Sequence, residues 1–90
     1  MGLSLDVEAQ TALRSLAPAT KRRIRAALQM LEADPFHDKL DLKRLRSADA
    51  SRFWRIRVAN YRIVFSIHNG QTHVHRIFHR RDGYGWLERL

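Results

Sequence analysis

The 90 residues carry 17 Lys or Arg against 9 Asp or Glu, a formal net charge of +8, and no cysteine. That length holds one domain, residues 1–90, with a thin core, and the missing cysteine removes disulfides, thiolate nucleophiles and cysteine-ligated metal centres together. No apolar run approaches the ~18–20 residues of a membrane span and no basic-then-apolar leader opens the chain, so the expectation is a cytoplasmic protein with no membrane partner.

The charge is uneven. Residues 1–51 hold nine basic and seven acidic side chains, 9 − 7 = +2, whereas residues 52–90 hold eight and two, 8 − 2 = +6. The second stretch also contains both Trp, both Tyr and four of the five His. Clustered cations beside aromatic rings suit phosphate neutralisation and base stacking, which makes nucleic acid the expected partner class. An acidic protein is the plainer alternative.

In chain order, Leu3-Ser-Leu5 reads as a short edge strand. Ala9, Ala12, Leu13 and Leu16 then recur at i, i+3, i+4, i+7, one face of a helix that Asp6 can cap. Pro18 breaks it. Ile24, Ala27, Leu28 and Leu31 repeat the spacing in a second helix, with Thr20 as N-cap and Pro35 as the stop. Two such helices on a short connection pack antiparallel. Residues 37–52 are polar, with Leu40, Leu42 and Leu45 predicting an irregular or short ordered segment. From Phe53 the period changes to two: Trp54, Ile56 and Val58 alternate with Arg55 and Arg57, and Tyr61, Ile63, Phe65 and Ile67 alternate with Arg62, Val64 and Ser66. Ala59-Asn60 is short enough for a hairpin, in which Asn60 is suited to the positive φ, and Asn69-Gly70 is a strong hairpin signal before a third strand at 72–78. The expected class is α+β in the order β-α-α-β-β-β, an antiparallel sheet with the helical hairpin on one face.

The chemistry is constrained by what is missing. Gly residues are scattered, so no phosphate loop forms, and only Asp82 and Glu88 are acidic after Asp49, leaving no paired-carboxylate or Ser-His-Asp site. Acid–base work falls to Arg, Lys, His and Tyr, groups better suited to phosphoryl chemistry than to peptide or glycoside hydrolysis. His73 and His75 share a face, and simple alternation gives His79 the same parity, but ~13 Å away along an extended strand. With no cysteine and no acidic cluster nearby in the sequence, no metal site and no cofactor are expected; surface histidines are the simpler reading. The run F-H-R-R-D-G-Y-G-W at 78–86 sets His79, Arg80 and Arg81 beside Tyr84 and Trp86, with Arg62 expected on the neighbouring strand.

These motifs together resemble the RelE/ParE toxin superfamily of type II toxin–antitoxin modules, and more closely its RelE-like mRNA interferases. They are L-E-A-D-P-F at 31–36, K-R-L at 43–45, W-R-I-R-V-A-N-Y-R-I-V-F at 54–65 and H-R-R-D-G-Y at 79–84. The resemblance implies a metal-independent endoribonuclease that cuts mRNA in the ribosomal A site by attack of the ribose 2′-oxygen, inhibiting translation. By position, it implies that Arg62 stabilises charge on the phosphate and that Arg80 or Arg81 serves the leaving oxygen or the same charge. Tyr84 stacks or moves a proton, His79 is an acid or base, and Lys43 is a base or electrostatic partner. Lys39, Arg44, Arg46, Arg55, Arg57 and Trp86 are the accompanying candidates for RNA or ribosome binding. Implied partners are the ribosome with its mRNA and a partly disordered antitoxin that docks through an acidic segment, with operator DNA met only through that complex. Two alternatives stand beside it: a ParE-like member of the same fold, a non-nuclease that binds DNA gyrase, and, apart from the resemblance, a non-toxic basic nucleic-acid-binding protein.

Overall fold

The structure, a computed structural model, describes residues 2–45 and 52–83. Its elements in chain order are β1 (Leu3–Leu5), α1 (Val7–Ser15), α2 (Pro18–Ala33), β2 (Asp41–Arg44), β3 (Trp54–Val58), β4 (Tyr61–His68) and β5 (Gln71–His79), closed by a 3₁₀ turn at Arg80–Asp82. They form one five-stranded sheet in the order β1-β5-β4-β3-β2. β2 to β5 pair antiparallel, as alternation predicts, whereas β1 joins the edge of β5 in parallel. The two parallel strands are the first and last of the chain, with both helices and β2 to β4 between them, far more chain than a parallel pairing needs.

The α+β architecture and the helical hairpin agree with the sequence. Pro18 is not a break before a helix capped at Thr20; it is the first helical residue, with Ala17 at the N-cap, a position where its missing N–H costs nothing. Ala9, Ile24, Leu28 and Leu31 from the helices bury against Ile56, Ile63, Phe65, Val74 and Ile77 of the sheet. Of the two alternatives for the polar stretch, the segment at 41–44 takes the ordered one: it pairs with β3 from Asp41↔Arg57 to Arg44↔Trp54, using Leu42 as its core-facing residue.

Two further departures control what faces where. Between the pairs Val64↔Arg76 and Phe65↔Val74 the register slips by one residue, so β5 bulges at His75. Val74 and Ile77 can then both reach the helix-covered core although they stand three apart. The second departure is that the face away from the helices is not wholly polar. Phe53 and Val64 are buried there with Leu45 and Phe78 against them, a small apolar centre on an otherwise cationic face.

The two hairpin turns also differ. Asn69 and Gly70 both have positive φ, the type I′ geometry that matches strand twist. In the β3–β4 turn the positive φ falls on Ala59, at 54°, and not on Asn60 as expected. An L-residue with a Cβ pays about 1–2 kcal/mol for that conformation. Ala59→Gly is therefore expected to stabilise the fold by about 0.5–1 kcal/mol after the added chain entropy of glycine is subtracted, seen as a rise of several degrees in Tm by thermal unfolding. An unchanged or lowered Tm would contradict a strained turn.

Candidate functional site

The open face of the sheet is built in rows by the strand register. One row runs Lys43, Arg55, Val64, Arg76 across β2 to β5; the next runs Asp41, Arg57, Arg62, Phe78. Lys43 and Arg62 are thus two strands and one same-face step apart, with backbones about 12 Å from each other on standard sheet spacings. At the end of these rows the backbone N–H of Arg80 donates to the carbonyl of Asn60 at 2.7 Å. That bond ties the 3₁₀ turn to the β3–β4 hairpin and brings Arg80 and Arg81 to the corner where Arg62 begins β4.

The arginines of this face are not equivalent. Arg57 Nε donates to Asp41 Oδ2 at 2.6 Å, and Arg55 Nη1 donates to the Asp41 carbonyl at 3.1 Å while its guanidinium lies 3.6 Å from Asp41 Oδ1. The Arg57 hydrogen bond, aided by the charges of both arginines, holds the Asp41 carboxyl below its ordinary pKa. Arg76 is held at the opposite edge by Asp6 and Glu8. Arg62 is half-buried and donates to its own neighbour's carbonyl, that of Tyr61, at 3.2 Å; among the described residues no carboxylate pairs with it. Arg80 and Arg81 are exposed and likewise meet no carboxylate among the described residues.

Other predicted positions do not gather at this corner. The bulge reverses the parity of His79, which shares the helix-side face with Tyr61, ring centroids 5.3 Å apart, and not the face of His73 and His75. Its Nδ1 accepts the Arg81 backbone N–H at 3.3 Å and so caps the 3₁₀ turn, leaving Nε2 as the nitrogen that can exchange a proton. Arg44 packs its guanidinium over the Trp54 ring at 5.6 Å, also on the helix side. Lys39 lines a cavity of about 260 Å³ with Arg23 and Met30 of α2 and Arg57 of β3. Arg46, Tyr84 and Trp86 lie outside the described residues.

Sequence reasoning missed the two carboxylates that organise the face. Asp41 was hidden in a stretch without clear periodicity. Asp6 stands at the N-cap of α1 as expected, yet its side chain makes no capping hydrogen bond and turns to the sheet, near His73, His75 and Arg76. His75 is wedged between Phe53, centroid 4.8 Å away, and Ser66. Burial, then the neighbouring His73, Arg52 and Arg76, push its pKa from 6.5 down to about 4, with Asp6 opposing in part.

Comparison with known structures gives the class first. A chain of the RelB-RelE antitoxin-toxin complex from Methanococcus jannaschii matches with 22% identity over 87% of this chain and 91% of that one, TM-score 0.73. The RelE-RelB complex from Pyrococcus horikoshii OT3 matches with 22% identity over 91% and 97%, TM-score 0.74. The YoeB/ParE toxin from Agrobacterium tumefaciens matches with 15% identity over 88% and 98%, TM-score 0.75. No curated protein matches the sequence. These likenesses establish the RelE-like fold. Residues 3–84 match the model of the ParE toxin of the type II toxin-antitoxin system parDE. The chain therefore belongs to the ParE toxin family, a toxin of a type II toxin–antitoxin system within the RelE/ParE/YoeB superfamily.

The His75 environment has a measurable consequence. Above pH 6.5 the ring is neutral in folded and unfolded chains alike; between pH 6.5 and about 4 only the unfolded chain takes up the proton. Stability is expected to fall as pH drops through that window, read as a decreasing urea midpoint. His75→Gln should flatten the slope there; an identical slope would place the titrating group elsewhere.

Proposed function

We propose that this toxin is an endoribonuclease that acts on mRNA in the ribosomal A site. The carrying observation is Arg62: a half-buried guanidinium on the open face, met by no carboxylate among the described residues, beside a turn that carries Arg80 and Arg81. A phosphodiester laid on that corner would meet charge that the protein has not already spent on itself. In the reaction the ribose 2′-oxygen attacks the adjacent phosphorus and loses its proton, the bond to the 5′-oxygen breaks, and that oxygen gains a proton. A 2′,3′-cyclic phosphate and a free 5′-hydroxyl result.

Arg62 is assigned to the two negative charges that build on the non-bridging oxygens, where preorganised donors contribute most. Arg80 or Arg81 is assigned to the same charge or to the leaving oxygen. Proton transfer is left to Lys43 and Tyr84, because an arginine hardly deprotonates and His79 stands on the helix-side face, away from Arg62. Arg55 and Arg57, steadied by Asp41, form a positive floor for the RNA backbone more than a mobile clamp.

Several of the similar structures are antitoxin–toxin complexes. By extension, the partner of this chain is an antitoxin whose acidic segment, disordered when free, covers the same cationic face; operator DNA is reached only through that complex. The site of action is the cytoplasm, where ribosomes are; among the described residues no helix is long and apolar enough to cross a membrane. The ParE description of the matching family favours a second reading, a non-nuclease that binds DNA gyrase. Unpaired arginines on a corner have no evident use in that reading.

Translation extracts programmed with a defined message separate the two. The folded chain should generate new 5′ ends at ribosome-bound codons, and Arg62→Ala should lower the cleavage rate by about 10²–10³-fold, as loss of one transition-state donor does. Arg25→Ala, on the exposed side of α2, should leave it within a few-fold. Intact message together with inhibited gyrase supercoiling would reverse the assignment.

A further inference from the structure

A different cluster lies on the same face at its other edge, four residues along β4 from Arg62 and so roughly 13 Å away. Asp6 leaves β1, and because β1 runs parallel to β5 its carboxylate comes over His73 and His75. His73 Nε2 stands 3.7 Å from Asp6 Oδ1, and His75 Nδ1 stands 4.0 Å from Asp6 Oδ2. One atom from each of the three residues fits within a span of 4.8 Å. The geometry points to a binding site for a divalent transition-metal ion, zinc being the best match, held by Asp6, His73 and His75.

The second ring nitrogen of each histidine carries the argument further. His73 Nδ1 is 2.7 Å from Ser4 Oγ, and His75 Nε2 is 2.8 Å from Ser66 Oγ. With each serine accepting, the tautomers are fixed so that both remaining lone pairs converge on the space beside Asp6. A metal-binding histidine characteristically has its other N–H held this way, which sets the ring orientation. Two imidazoles and one carboxylate form a set that zinc accepts, with a fourth position left to water. Tetrahedral bonds of about 2.0–2.1 Å need donor atoms roughly 3.3–3.4 Å apart. The two contacts to Asp6 exceed this by about 0.3 and 0.7 Å and the widest separation in the set lies within 4.8 Å, so closing on an ion requires rotations at Asp6 and His73, which are half-exposed.

Arg76 is the competitor, its Nη1 lying 3.8 Å from Asp6 Oδ2. Glu8 offers that guanidinium an alternative partner through Nη2, so Asp6 can turn to the metal without leaving Arg76 unpaired. A bound ion would join the β1–α1 junction to β5, adding to the parallel ladder and the packing of Leu3 and Leu5 that already hold this short strand. The bulge at His75 makes the arrangement possible, because it lets His75 and Arg76 both lie on the open face.

Isothermal titration of zinc chloride into the untagged chain should give one site per chain. Asp6→Asn should weaken it at least 10-fold, His73→Gln at least 100-fold, and Ser4→Ala about 10-fold through ring orientation. His68→Gln, on the turn end of β4, should leave binding unchanged. Nitrogen-15 imidazole spectra should show zinc-dependent shifts at His73 Nε2 and His75 Nδ1 with the two serine-facing nitrogens protonated, and zinc should raise Tm in the parent chain but not in His73→Gln. His73→Gln and Asp6→Asn keep the buried His75 packing, so their circular dichroism should match the parent. Absence of a 1:1 site at 100 µM zinc, or equal affinity in the parent and in folded His73→Gln, would overturn the proposal.

Discussion

The pairing of β4 with β5 is the constraint on which the rest of the molecule depends. It is the longest ladder in the sheet, it lies at the sheet's centre, and a single slip at His75 divides it into two halves of opposite parity. Before the slip, Thr72 and Val74 face the helices; after it, Ile77 and His79 do. Without the bulge, one half of β5 would present its apolar residues to solvent. Phe78 would then turn toward the helices and leave Val64 and Phe53 uncovered on the far side. The extra residue lets one strand supply a large core on one face and a small one on the other. A cost of burying His75 in neutral form comes with it.

That second core changes how the cationic face should be regarded. Leu45, Phe53, Val64 and Phe78 give the sheet an apolar centre, around which Lys43, Arg55, Arg57, Arg62 and Arg76 are arranged. Long cationic side chains can lay their methylene stems along such a surface and keep their heads in water, which limits the rotamers they sample. Cations on a flat polar sheet would be mobile; cations leaning on an apolar island are partly ordered before any partner arrives. Less entropy is then lost when a phosphate or a carboxylate binds.

Much of this was legible in the sequence. The 3.6-residue spacing of Ile24, Ala27, Leu28 and Leu31 and the alternation from Trp54 to Val58 define elements by burial period, and burial decided the outcome. What was not legible depended on pairing between distant segments. β1 pairs with the last strand of the chain, so although Asp6 does occupy the N-cap position of α1, the neighbours of its side chain are nearly seventy residues away, where no local pattern points. The bulge leaves no mark in composition: H-V-H-R-I-F alternates acceptably in either register, and only the need to bury both Val74 and Ile77 selects the slip. Ala59 shows the same limit in a turn, since propensity favours Asn60 for positive φ but the β3–β4 register assigns it to its neighbour.

The basic half of the chain looks uniformly cationic when counted, yet its charge is partitioned by three carboxylates contributed by the acidic-richer half. Asp41 takes Arg55 and Arg57, while Asp6 and Glu8 take Arg76. A paired arginine contributes little to distant binding, because its field is cancelled within a few ångströms and what survives is screened over about 8–10 Å. Among the described residues this pairing removes Arg55, Arg57 and Arg76 from the field, which is therefore narrower than the +8 net charge implies, and Arg62, Arg80 and Arg81 belong to what is left. A protein that only adhered to nucleic acid would gain from leaving its arginines unpaired across the whole face. Compensating the edges and sparing one corner instead favours a single phosphate position over a broad anionic surface. That pattern supports the proposed reaction at one phosphodiester, and under the same proposal an acidic antitoxin segment would have only this corner to cover.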